Sequence, residues 1–121
     1  MLKLHNTYSN TVEEFKPNSD SVKIYLCGPT VQSSPHIGHG RSAVVFDFLI
    51  RYLVYLDYEV NFVRNITDIE DKIIERAVEE GITTKALADR VTKEFQDAYS
   101  RLNCLPPDNE PKATETIDHI I

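Results

Sequence analysis

The feature that most constrains this chain is the order of three patterns: a β-branched run, a long apolar helical run, and a second β-branched run. Val22-Lys23-Ile24-Tyr25-Leu26-Cys27 is rich in β-branched and aromatic residues and closes on Gly28-Pro29, which predicts a strand. From Ile37 to Asp57, residues such as Ala43, Phe46, Ile50, Leu53 and Leu56 recur at three- and four-residue spacings with few breakers, which predicts a helix. Much of that helix is apolar all round, so it is expected in the core. Tyr58 to Val63 alternates and predicts a second strand. Strand, helix and strand in that order make a βαβ unit with a parallel sheet. Ligands of such sheets bind beyond the carboxyl ends of the strands. The loops Gly28–Pro35 and Arg64–Asp68 are therefore the candidate site loops.

The flanking segments are simpler. Leu2–His5 and Val12–Phe15 are expected to pair as a small hairpin, with turn signals at Ser9-Asn10 and Pro17-Asn18-Ser19-Asp20. A helix is expected from about Asp68 to Glu80, with Ile69, Ile73 and Ala77 on one face and Gly81 ending it. Thr83 or Thr84 is positioned to cap the next helix, whose stripe is Leu87, Val91, Phe95, Ala98 and Leu102. Leu105-Pro106-Pro107-Asp108 reads as a linker. A further helix is expected from Thr114, with Ile117, Ile120 and Ile121 as its apolar side. That pattern has no visible end, which reads as a truncation. The expected organisation is an arm over 1–20, the first half of a nucleotide-binding domain over 21–105, and a linker with the start of a helix over 106–121.

Composition narrows the function classes. The 121 residues are 41% hydrophobic and 26% charged, which fits one folded domain or part of one and excludes general disorder. No apolar run approaches the roughly 18 residues that span a bilayer, since Asp47 and Arg51 interrupt Ala43–Leu56. The first residues lack the apolar stretch of a secretory signal, so a cytoplasmic monomer is the expectation. Two cysteines, Cys27 and Cys104, do not make a disulfide scaffold. With 13 Lys and Arg against 19 Asp and Glu, the net charge of −6 argues against sequence-blind nucleic-acid binding by this segment alone.

The sharpest chemical motif is Pro35-His36-Ile37-Gly38-His39 at the expected start of the long helix. A helix N-terminus offers free N–H groups and partial positive charge, which attract phosphate. Two imidazoles add donors for charge that develops on reacting phosphates. Gly38 is expected to let a base or phosphate approach the backbone, and Pro35 to set the turn into the helix. The plainer alternative is two surface histidines at a helix cap.

Three motifs in order carry a family resemblance. Leu26-Cys27-Gly28-Pro29-Thr30-Val31, His36-Ile37-Gly38-His39-Gly40-Arg41 and Phe62-Val63-Arg64-Asn65-Ile66-Thr67-Asp68-Ile69-Glu70-Asp71-Lys72-Ile73 together resemble the N-terminal catalytic half of the cysteinyl-tRNA synthetases, class I aminoacyl-tRNA synthetases. The resemblance runs from Leu4-His5-Asn6-Thr7 to Pro111-Lys112-Ala113-Thr114. It implies the first half of a Rossmann-like α/β nucleotide-binding fold. It also implies ATP-dependent activation of L-cysteine to cysteinyl-adenylate, with Mg²⁺ accompanying ATP, and transfer to the tRNA for cysteine. His36 and His39 match the family's HIGH signature as catalytic and ATP-binding residues, with Gly38 between them, and Thr30 matches a position facing the ATP phosphates. Gly28 and Thr67 match positions around the cysteine substrate. Cys27 matches the first ligand of a Zn²⁺ that grips the substrate thiolate. The family's other zinc ligands, its KMSKS loop and its anticodon-reading parts have no match within these residues.

Zinc suits the task that the resemblance implies. Cysteine and serine differ only by sulfur for oxygen, which shape alone discriminates poorly, whereas Zn²⁺ reads a thiolate directly. Taken alone, Cys27 is more often a strand-end packing thiol than a ligand. Cys104 reads as packing, and His5 and His119 as exposed and inert. Thr67 is equally a candidate N-cap for a helix at Asp68. The acidic trio Asp68, Glu70 and Asp71 reads as complementing the helix dipole more readily than as a Mg²⁺ site. The alternatives in view are the cysteine ligase of mycothiol synthesis, which tends to lack Gly40-Arg41, a stand-alone nucleotidyltransferase, and a non-catalytic nucleotide-binding module.

Overall fold

In the computed structural model, which describes residues 1–120, the elements run β1 (Lys3–Asn6), β2 (Thr11–Glu14), β3 (Ser21–Leu26), α1 (Ile37–Tyr55), β4 (Glu59–Arg64), α2 (Asp71–Glu80), α3 (Thr84–Arg101) and α4 (Ala113–Ile120). Ile121 and the side chain of Ile120, two of the three residues of the expected apolar side of α4, lie outside the described residues.

β3 and β4 pair in parallel from Ser21 opposite Glu59 to Leu26 opposite Arg64, and α1 is the crossover between them. This is the βαβ unit that the sequence pattern implies, part of a Rossmann-like fold. β3 alternates in burial: Val22 is buried, whereas Lys23 and Tyr25 face out. β1 and β2 form the expected antiparallel hairpin, with Lys3 opposite Glu14 and Asn10 turning the chain at φ 56°. No helix among the described residues is long and apolar enough to cross a membrane.

The core lies beneath the carboxyl-end loops. Leu87, Val91 and Phe95 of α3 meet Ile73 and Ala77 of α2, and Val31 and Ile66 from the two loops close the cluster. The α3 stripe holds at Leu87, Val91 and Phe95, but at the far end Tyr99 turns inward and Leu102 is exposed. Thr83 caps α3 by accepting the Ala86 N–H at 3.1 Å, and Gly81 ends α2 at φ 65°, both as expected. Cys104 packs partly buried against the cluster, as a packing thiol should.

Four expectations are corrected. The long helix is not a core helix: only Ala43, Ile50 and Leu53 are buried, while Val45, Phe48 and Tyr55 are 57%, 71% and 79% exposed. It also stops at Tyr55, because Asp57 enters the left-handed region at φ 64°. β4 reaches one residue further, to Arg64, which pairs with Leu26 of β3. Finally, α2 begins at Asp71 instead of Asp68. Residues 66–68 stay extended because the stretch after the proline pair runs beside them: Ile66 N–H donates to the Pro111 carbonyl, and Ala113 N–H to the Ile66 carbonyl, both at 2.9 Å. The Asp68 carboxylate is committed there too, accepting the Thr114 N–H at 3.0 Å and the Thr114 hydroxyl at 2.6 Å. Thr67 is therefore not a helix cap. The residue before α2 is Glu70, and its side chain makes no capping bond.

Candidate active site

The two histidines cap the helix that they begin. His36 Nδ1 accepts the Gly38 N–H at 3.1 Å, and His39 Nδ1 accepts the His36 N–H at 3.2 Å. This is a capping box built from imidazoles, each group satisfying a backbone donor that the first helical turn leaves free. The pattern assigns the tautomers. A nitrogen that accepts carries no proton, so Nε2–H is the free donor on both rings. The rings lie 3.9 Å apart between centroids, and His39 meets Phe95 edge-on at 4.8 Å. Burial, helped by the neighbouring His36, holds the His39 pKa below the ordinary histidine value. Near neutral pH it is an uncharged donor. The space over Gly38 is taken by its own neighbour: a Cβ there would stand 2.9 Å from His36 Cε1. The missing side chain at Gly38 thus makes room for the His36 ring. Gly40 has a packing reason as well, since a Cβ would stand 3.1 Å from Cδ1 of Leu102, the residue that caps the end of α3.

The parallel ladder continues past β3 and β4 with a shift. Leu26 pairs with Arg64, and the next bridge joins Thr30 to Thr67. Cys27, Gly28 and Pro29 therefore face only Asn65 and Ile66, a bulge on the β3 side. The ladder resumes as Thr67 N–H donates to the Pro29 carbonyl at 3.0 Å and Val31 N–H to the Thr67 carbonyl at 3.1 Å. Within the bulge the chains nearly touch. A Cβ on Gly28 would fall 1.5 Å from the Asn65 carbonyl oxygen, so only glycine fits. The Gly28 N–H donates to Asn65 Oδ1 at 2.7 Å, and Asn65 Nδ2 donates to the Thr67 hydroxyl at 3.3 Å.

The bulge opens on a small cavity of about 80 Å³ whose walls include Cys27, Gly28, His39, Ser42, Arg64 and Tyr99. Arg64 is 5% exposed. Its guanidinium donates twice to Glu110 Oε1, at 3.0 and 2.7 Å, and lies 4.5 Å over the Tyr99 ring. Glu110 Oε2 accepts from Gln96 Nε2 at 2.7 Å, which fixes the carboxylate from both sides. The positive charge is thereby paired, as burial requires. His36 faces a second, wider cavity of about 400 Å³ between the start of α1 and the end of α3, lined also by Gly40, Tyr99 and Arg101.

The structure thus brings Cys27, Gly28 and His39 to one cavity and His36 to its neighbour, with Tyr99 bordering both. Thr30 and Thr67 pair with each other through the backbone and line neither cavity. Sequence reasoning assigned nothing to Asn65, Arg64, Glu110 or Tyr99. Asn65 reaches Gly28 across 37 positions and Arg64 reaches Glu110 across 46, so no local pattern announced these pairs. Zinc does not find a complete site here. The Cys27 thiol is exposed, but among the described residues no three His, Cys, Asp or Glu side chains come together as a metal would need.

A family model described as the class I (C) tRNA synthetase catalytic domain matches residues 14–121. A cysteine–tRNA ligase from Sodalis glossinidius is 54% identical over 122 residues, covering 100% of this chain and 27% of its own length. A cysteine–tRNA ligase from Shewanella loihica is 49% identical over 122 residues, again 100% and 27%. One from Desulfotalea psychrophila is 51% identical over 121 residues, covering 99% of this chain and 25% of its own. The chain spans about a quarter of the length of the curated relatives it matches.

Proposed function

Because the chain belongs to the family of class I (C) tRNA synthetase catalytic domains, we propose that it carries the part of an activation site that joins L-cysteine to ATP. In that reaction a carboxylate oxygen of cysteine attacks the α-phosphorus of ATP and pyrophosphate leaves, giving cysteinyl-adenylate. The cysteinyl group then passes to the tRNA for cysteine. The observation that carries the reading is the meeting of Cys27 and His39 at one cavity, beyond the carboxyl ends of a parallel βαβ unit and beside a helix N-terminus.

Each residue has a role that its geometry supports. His39 and His36 present Nε2–H donors toward the phosphates, where charge builds as pyrophosphate departs. Their Nδ1 atoms are held by the backbone, so the rings need no reorganisation to donate. Gly38 seats the His36 ring, whereas the role of Thr30 toward the nucleotide rests on the family resemblance, because it lines neither cavity. Cys27 and Gly28 line the cavity on the cysteine side, and Thr67 is assigned to that side by the family resemblance alone. Mg²⁺ accompanies ATP as part of the substrate. Zinc, in this reading, would gain one thiolate from Cys27 and its other ligands from outside these residues, so no step is derived through it. The name that the relatives carry, cysteine–tRNA ligase, supports this reading over mycothiol-pathway ligation or a stand-alone nucleotidyltransferase. Gly40-Arg41, which the mycothiol-pathway ligase tends to lack, favours the same reading.

The test uses a chimera in which this chain replaces the matching residues of the Sodalis glossinidius relative. Cys27→Ser in that chimera should raise the KM for cysteine in ATP–pyrophosphate exchange by about 100-fold, with the KM for ATP within about threefold. A cysteine KM that does not move would overturn the assignment of this cavity to the substrate.

A further inference from the structure

The bulge after β3 leaves a question that the backbone does not answer. The Gly28 N–H points across the gap between the strands at the place where the ladder slips by one residue. An N–H can only donate, so Asn65 must turn its oxygen toward it, and the amide orientation is fixed. That leaves Nδ2 facing the Thr67 hydroxyl. One side chain therefore ties the residue next to Cys27 to Thr67, where the ladder resumes on the β4 side. Bulges beside active sites re-aim the side chain they displace, and the side chain displaced here is Cys27, at the wall of the small cavity.

We propose that Asn65 is a positioning residue for the cysteine pocket: by bonding both Gly28 and Thr67 it holds the Cys27–Gly28 bulge in fixed register, so that the Cys27 thiol meets the substrate in one position. This rests on the proposed function for the identity of the substrate, but not for the geometry. Asn65 does not touch the reacting phosphates in this account, and its effect falls on cysteine and not on ATP. Aspartate at 65 keeps the acceptor for Gly28 and lets the Thr67 hydroxyl reverse to donate, so it should substitute in part. Alanine loses both bonds.

Two measurements test this. In the 121-residue chain itself, Asn65→Ala should speed hydrogen exchange of the Gly28 amide by about tenfold or more, while the Val31 and Thr67 amides of the resumed ladder stay within about threefold, and Asn65→Asp should fall between. No change at Gly28, or a common rise at all three amides, would overturn the positioning role. In the chimera, Asn65→Ala should raise the KM for cysteine about tenfold with the KM for ATP within twofold, and Asn65→Asp should recover most of the loss. Equal rises for both substrates, or no rise for either, would overturn it as well. An unmutated chimera with no cysteine-dependent exchange would count against the proposed function alone, and amide exchange would then decide the role of Asn65.

Discussion

One ring of His39 serves folding at Nδ1 and is free for chemistry at Nε2, so two substitutions separate the roles. His39→Gln keeps a side-chain acceptor for the His36 N–H, as glutamine does at this position of an ordinary capping box. It should change unfolding free energy by less than about 0.5 kcal/mol, yet slow exchange in the chimera about 100-fold through loss of the fixed donor. His39→Ala should slow exchange as much and also cost about 1 kcal/mol of stability, because the cap goes with it. Urea unfolding and exchange rates on both variants check this. Acid should act on the same atom. The folded-state pKa of His39 lies below its unfolded value, so its contribution is complete above about pH 6.5 and is lost as pH falls through the lowered folded value, where Nδ1 takes a proton and stops accepting. The urea midpoint of the wild-type chain should fall between pH 7 and pH 5 by more than that of His39→Gln. Equal slopes would contradict it. The spacing of the two histidines was legible from the sequence because a helix start was legible. Their close, tilted ring contact and the use of Gly38 as a seat for His36 were not, since both depend on side-chain rotamers that no periodicity encodes. Asn65 and Arg64 were invisible for a different reason: their partners, Gly28 and Glu110, lie far away in the chain.

At the scale of elements, local signals succeeded wherever a local interaction decides the boundary. Gly81 ends α2 at φ 65° with open space around it, so its conformation alone requires glycine. Gly81→Ala should therefore destabilise the chain by about 1–2 kcal/mol, and Gly81→Asn by less, as measured by urea midpoint. Local signals failed where distant chain competes. Asp68 looks like a helix start beside Ile69 and Ile73, but its carboxylate serves Thr114, and the segment from Asn109 to Lys112 claims Ile66 as a strand partner. The core role read into α1 failed in the same way. Its apolar residues are numerous enough for burial on all sides, yet only the face toward β4 and α3 is covered among the described residues. Hydropathy records how many apolar groups a helix carries and not which of them a neighbour reaches.

Taken whole, the chain is a parallel βαβ unit braced by a helical pair, with its candidate chemistry gathered at one end. The order of its patterns made that fold readable, and the strand–loop–helix order placed the candidate loops before any side chain did. Cys27 is the one thiol at the small cavity, and a stable zinc site takes about 3–4 protein ligands. The 121-residue chain should therefore purify without stoichiometric zinc, and its melting temperature should not respond to a chelator. Tightly bound zinc by elemental analysis would show that the ligand set is misread.

The most direct test of the central claim, that this end of the fold is the cysteine-activating half of a synthetase site, is ATP–pyrophosphate exchange by the chimera with the Sodalis glossinidius relative. The 54% identity across the whole chain makes the replacement feasible. Exchange should depend on L-cysteine, with kcat/KM for cysteine exceeding that for serine by at least about 10⁴. A soluble, folded chimera that exchanges no faster with cysteine than without it, or that treats serine as an equal, would contradict the account.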